Sequence, residues 1–272
     1  MDLPPKSYIA PPPPRPKGPG LATRRQPARW LQLAAVVLGV GPLYVMVFFS
    51  GLQALEAGEV QLNAAGLLMN IGVMASFAAF LLGLLLVLGE LPSGLQLRPG
   101  TVLSDIGIGV GLFFTIIGAL ILMKVTTALL EGAGLIPQMQ DVPDANLELI
   151  ASVTRSPWLF ALFLGPVIWF QAAVVEELTR VFVLTRLWKV WPSRSAKLAS
   201  VVAWSLLFGL AHIYQGATGV IGTALIGLVL GMSYLFRGRV LPLMIAHGLY
   251  DTLATLALLY ALHHPEVLKS AL

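Results

Sequence analysis

The stretch AAGLLMNIGVMASFAAFLLGLLLVL, Ala64 to Leu88, decides the fold class. It carries no charged residue and exceeds the roughly 20 apolar residues that cross a bilayer core as a helix. Its apolar positions run continuously, whereas a strand of a lipid-facing barrel would alternate with period two. Inside lipid every backbone polar group needs a partner within its own segment, which leaves the α-helix.

Reading outward, six further stretches have the same character. They are Leu31 to about Phe49, Ile106 to Leu130, Pro157 to Val175, the short Leu198 to Ile213, Ala217 to Phe236, and Leu241 to Leu262. Lys124 sits near one end of its span, where its stem can snorkel to the surface. The expected fold is an all-α, polytopic transmembrane helix bundle of about seven spans; an eighth would flip the C-terminus. Composition agrees: 11% of the 272 residues are charged, against roughly 25% in a soluble domain. The absence of cysteine excludes disulfides, thiolate catalysis and cysteine-ligated metals.

Residues 1–29 differ from the rest. Pro11 to Pro14, further Pro and Gly, and scattered basic residues leave too little apolar surface to offset ordering entropy. This segment is expected to be a disordered Pro-rich, basic cytoplasmic tail and not a signal peptide. Residues 30–272 form the transmembrane domain. Orientation follows from loop charge. Lys6, Arg15, Lys17, Arg24, Arg25 and Arg29 precede the first span. Arg180, Arg186, Lys189, Arg194 and Lys197 follow the fourth, and Arg237 and Arg239 link the sixth and seventh. Acidic residues mark the opposite loops, so the N-terminus is expected in the cytoplasm, at the plasma membrane. The longest connection, Glu131 to Ser156, is a candidate for a helix on the far surface.

Three polar groups stand out, because a charge at mid-span costs roughly 2.5–3.5 kcal/mol. The first is Glu176-Glu177-Leu178-Thr179-Arg180, at the expected cytoplasmic end of the fourth span. Adjacent helical residues point about 100° apart, so the two glutamates meet different neighbours. Glu176 and Arg180, four apart, can pair. Read alone, the group is equally a solvated helix end. The second is Phe208-Gly209-Leu210-Ala211-His212. The third is His247-Gly248-Leu249-Tyr250-Asp251, where His247 and Asp251 share a helical face and the aspartate can fix the ring's tautomer.

Together, a carboxylate and two histidines can activate water, directly or through a metal. Glu176, His212 and His247 are a candidate zinc set. The soluble-protease pattern His-Glu-x-x-His is absent, as is a Gly-x-Ser-x-Gly elbow.

In this order and setting, the motifs resemble the CPBP family of CAAX proteases and bacteriocin-processing (Abi-like) enzymes, which includes the type II CAAX prenyl endopeptidases. That family has Glu-Glu-x-x-x-Arg, then Phe-x-x-x-His, then His-x-x-x-Asn or Asp. The likeness covers roughly 157–262, and Asp251 lies within its range. Arg180 stands one position early, about 100° round a helix, because Val181 occupies the family's arginine place.

The resemblance implies an intramembrane metallo- or glutamate endopeptidase acting on membrane-associated or lipidated peptide substrates. Glu176 would be the general base, helped by His212. His247 with Asp251 would stabilise the oxyanion, and Glu177 would position the site or pair with Arg180, with Phe208 in support. The implied partners are the lipid bilayer and a peptide or lipidated protein; nucleic acid has no part. Zinc is the one cofactor suggested. Convergence of Glu176, His212 and His247 requires a tilted fifth span, one that starts outside the bilayer, or a cavity reaching inward. The alternatives are a proton-coupled transporter, since intramembrane Glu, His and Asp also form proton relays, and a degenerate family member acting as a scaffold.

Overall fold

The computed structural model describes residues 28–57, 63–88, 90, 101–137 and 144–264. The expected tail lies outside these residues except for its last two positions. The described residues are helical and contain no strand. Helices α1 (Arg29–Gly39) and α2 (Gly41–Ala57) make the first leg, α3 (Ala64–Val87) the second and α4 (Val102–Gly132) the third. After α5 (Asp144–Thr154) comes one long leg. It comprises α6 (Pro157–Leu162), a π-helical segment (Phe163–Glu176) and α7 (Glu177–Val190). Then follow α8 (Arg194–Leu210), a 3-10 turn (Ile213–Gln215), α9 (Gly216–Arg237) and α10 (Leu241–His263).

Six of these runs are long and apolar enough to cross a membrane. Among the expected spans the exception is α8, the fifth, which has 17 residues and carries Arg194 and Lys197 in its first turn. The chain is an integral membrane protein with an all-α polytopic fold. The long leg corrects the sequence reading most. Its helix was expected to stop at Val175, with the glutamates at the membrane face. Instead 14 π-helical residues lead into 14 more of α7, so the pair sits in the leg's interior. Arg186 and Lys189, read as loop residues, lie on α7.

Local chemistry explains the boundaries. Asn63 caps α3 by accepting the Gly66 N–H at 2.8 Å, and Ser193 caps α8 by accepting that of Ala196 at 3.3 Å. Helix α9 ends on Gly238, whose φ of 63° is the left-handed turn that glycine takes without strain. Pro242 then opens α10, where a missing N–H costs nothing. The π segment contains Pro166. Proline cannot supply the i→i−4 bond of an α-helix, and the wider i→i+5 pairing carries the chain onward.

Helix α7 is the centre of the bundle. Val181, Phe182, Val183 and Leu184 are buried on successive sides and join Trp204 of α8 and Leu230 of α9 in one core. Helices α8 and α9 pack backbone to backbone: a Cβ on Gly209 would lie 2.5 Å from the Val220 carbonyl oxygen and 2.8 Å from Ala224 Cβ. Small residues permit such approach in membranes.

Two polar clamps tie the N-terminal legs to this core. Arg186 donates to Gln32 Oε1 of α1 at 3.0 Å and to Glu90 Oε2 at 2.6 Å, and Lys189 also reaches Glu90 at 2.6 Å. Arg239, between α9 and α10, pairs with Asp105 of α4. The longest connection does contain a helix, α5, and it packs inward with Ile150 and Val153 buried.

Candidate active site

Glu176 and Glu177 straddle the junction where π-helix becomes α-helix. They face different neighbours, as their adjacency predicts. Glu177 is fully buried and meets Arg180, which is buried as completely. Arg180 Nε donates to Glu177 Oε2 at 2.9 Å and Nη2 to Oε1 at 3.1 Å, a two-pronged pairing. The third prong, Nη1, donates to the Gly227 carbonyl of α9 at 3.2 Å. The guanidinium carbon lies 4.5 Å from the centre of the Phe208 ring.

This settles where the displaced arginine goes. Of the two pairings considered, Glu176–Arg180 and Glu177–Arg180, the second forms. A spacing of three places both on neighbouring positions of the first α7 turn, so the one-residue shift still lets Arg180 hold a carboxylate.

Glu177 also orients a histidine from another leg. His247 Nδ1 donates to Glu177 Oε1 at 2.8 Å. Sequence reading gave this orienting role to Asp251, but Asp251 Oδ2 lies 3.5 Å from the other ring nitrogen, Nε2. The same Nε2 is 4.0 Å from Glu176 Oε2. His247 therefore spans the two glutamates, one at each ring nitrogen.

His212 follows α8 at the joint leading to the 3-10 turn. Its Nδ1 lies 2.8 Å from the Phe208 carbonyl oxygen. A carbonyl only accepts, so Nδ1 carries the proton and Nε2 is an acceptor. The Phe208 ring stands between the histidines, 4.7 Å from His212 and 6.0 Å from His247, centre to centre.

The depth of His212 now has a simple account. Helices α7 and α8 share the turn at residues 191–193. From it, 14 residues of α7 rise about 21 Å and 17 of α8 about 25 Å, at roughly 1.5 Å per residue. A short α8 therefore brings His212 up to Glu176 instead of past it.

Glu176, His212, His247 and Asp251 all line one cavity of about 490 Å³. Its other walls are mostly apolar, from α4, α5, the π segment, α9 and α10. Glu176 Oε2 is buried and has no hydrogen-bond partner. Gln171, which sequence reading passed over, lines the same cavity with a buried, unpartnered Oε1. Its signal was a carboxamide inside an apolar span, five residues ahead of Glu176.

The suggested zinc set can be tested against this arrangement. Among the described residues, no three His, Asp or Glu side chains are grouped to hold a metal ion. The side chains as placed do not fit a zinc site, and no step below runs through one. What they can do is hold a water against an unpartnered carboxylate, with a hydrogen-bond donor opposite.

Residues 157–253 match a family described as type II CAAX prenyl endopeptidase Rce1-like. The matched segment runs from the start of α6 into α10 and contains every residue of the candidate site. No curated protein and no solved structure matches the chain.

Proposed function

We propose, from the match of residues 157–253 to this type II CAAX prenyl endopeptidase family, that the chain is an intramembrane endopeptidase that hydrolyses peptide bonds of membrane-associated or lipidated substrates. The observation that carries the reading is Glu176 Oε2. It is a buried carboxylate oxygen without a partner, on a cavity wall, 4.0 Å from His247 Nε2. An unpaired buried carboxylate is costly, and a bound water would satisfy it.

In this mechanism Glu176 accepts one proton of the water and His212 Nε2 accepts a hydrogen bond from the other. The water oxygen bonds to the peptide carbonyl carbon, and the carbonyl oxygen becomes an oxyanion. His247 Nε2 donates to that oxyanion. Donating from both nitrogens makes the ring an imidazolium, a cation set among Glu176, Glu177 and Asp251. The intermediate collapses as the C–N bond breaks, and Glu176 passes its proton to the departing nitrogen. Arg180 and Glu177 act through His247, holding its ring in place. Phe208 supports Arg180 and separates the histidines. The N-terminus is assigned to the cytoplasm from loop charge.

The test uses the full chain in lipid vesicles with synthetic peptides, lipidated and unlipidated, drawn from membrane-protein termini. Mass spectrometry locates any cut. Glu176→Gln is expected to lower the rate by about 10²–10⁴-fold, the worth of a general base, with folding unchanged. Equal cleavage by wild type and Glu176→Gln overturns the reading. Proton flux without cleavage points to a transporter.

A further inference from the structure

Buried polar side-chain atoms without partners are few among the described residues. Only two belong to cavity-lining side chains, Glu176 Oε2 and Gln171 Oε1. The two residues are five apart in the π segment. The i→i+5 bonding of a π-helix places such residues one turn apart on the same side. The second orphan oxygen is therefore a neighbour of the first, on the same wall.

The proposed reaction gives the first oxygen a water. The second needs a different partner, and a peptide substrate supplies one. A chain segment entering a mostly apolar cavity gives up its hydrogen bonds to water. Each unsatisfied backbone group then costs several kcal/mol. Two of the cavity's polar side chains are already engaged within the protein. The Thr223 hydroxyl donates to the Gly219 carbonyl of its own helix at 2.8 Å, and the Gln215 amide donates to Tyr214 Oη at 3.1 Å. A carboxamide offers an acceptor and two donors in one plane, the complement of a peptide unit.

We propose that Gln171 binds the main chain of the substrate. Its Oε1 accepts an N–H close to the scissile bond, and its amide nitrogen donates to a carbonyl of the same extended strand. This rests on the endopeptidase reading and narrows the substrate class. A cleavable segment must be extended through the site and must carry a free N–H at the position facing Gln171. Proline or an N-methylated residue there slows cleavage.

The experiment is a cycle between enzyme and substrate. A peptide cut by the wild-type chain in vesicles is resynthesised with a single N-methyl group at each residue flanking the cut. Values of kcat/KM are measured for wild type, Gln171→Met and Gln171→Asn. At one position N-methylation should cost wild type about tenfold or more, the worth of one buried hydrogen bond. Gln171→Met should lose a similar factor on the unmodified peptide and nothing further on methylation at that position. Gln171→Asn, which keeps the amide on a shorter stem, should fall between.

A smaller folded fraction scales all peptides alike, so it cancels in the methylated-to-unmodified ratio. The proposal is overturned if the N-methyl profile is the same in all three proteins, or if Gln171→Met cuts the unmodified peptide like wild type. Failure of the underlying reading looks different: wild type then cuts no peptide, or Glu176→Gln cuts as well as wild type, and the Gln171 role falls with it.

Discussion

Arg180 and Arg186 stand on the same helix, both are buried, and both hold a carboxylate, yet they organise different parts of the molecule. Arg180 pairs with Glu177 three residues away on its own helix and reaches out to the Gly227 carbonyl and the Phe208 ring. Arg186 reaches Glu90 and Gln32, from α1 and the end of α3. The first makes a rigid platform that hands its carboxylate to His247. The second fastens the N-terminal legs onto α7. The difference separates the half that carries the candidate site, assembled around α7, from N-terminal legs that enter its core through Val40, Leu81 and Leu85, are clamped to it at polar points, and expose much of their remaining apolar surface.

The sharpest way to break this division is to remove each arginine. Arg180→Ala leaves Glu177 buried without its cation, which costs about 3–5 kcal/mol. Cleavage should vanish with it. The double substitution Arg180→Met with Glu177→Gln removes both charges and should recover much of the stability. It should not recover activity, because His247 loses the carboxylate that orients it. Arg186→Ala should cost less, about 1–3 kcal/mol, because Lys189 still holds Glu90, and cleavage should stay near wild type. Denaturation midpoints and peptide cleavage on the same preparations decide it. If Arg186→Ala abolishes cleavage as fully as Arg180→Ala, the two arginines do not divide the labour.

Glycines sharpen the same contrast with a smaller effect. Gly209 has no room for a methyl group, because the atoms it would strike include the backbone of α9. Gly209→Ala must part α8 from α9 and carry His212 away from the cavity, at about 1–3 kcal/mol, with reduced turnover. Gly72 and Gly83 of α3 have open space where a Cβ would stand. Alanine there should be neutral or stabilising by up to about 1 kcal/mol, through helix propensity. Equal losses at Gly209 and Gly72 would mean that the N-terminal legs pack as tightly as the core.

Most of this architecture was legible because lipid is an unforgiving solvent. Uninterrupted apolar runs announce helices, and Glu176, His212, His247 and Asp251 were visible as polar residues where none is cheap. Their meeting in one cavity was less legible. It depends on α8 being short and on the fourth leg running on to Val190. The sequence from Arg180 onward hid that extension, since Arg186 and Lys189 look like loop charges until Glu90 and Gln32 are seen to receive them. The π segment was not legible at all. An α-helical reading places residues 100° apart and so sets Gln171 aside from Glu176. Charge spacing also misjudged Arg180, because what matters is the carboxylate it reaches and not its place in a family pattern.

Glu90 gives the finest discrimination between the halves, through pH. It lies beyond the end of α3, outside the membrane-spanning segments. Burial pushes its carboxyl upward, but hydrogen bonds and positive charge from Arg186 and Lys189 outweigh that and hold it below its ordinary value. A carboxylate depressed in the folded state contributes stability that is fully present above its unfolded value, about 4.3. That contribution fades as pH falls through the lower folded value. Wild type should therefore exceed Glu90→Gln in denaturation midpoint by a constant margin at neutral pH, and the margin should shrink under acid. Because Glu90 is a clamp for the N-terminal legs and not part of the cavity, cleavage by Glu90→Gln should follow the wild-type pH profile near neutrality. A changed profile there would mean that strain at the clamp reaches His247 through α7, joining the two halves that the arginines keep apart.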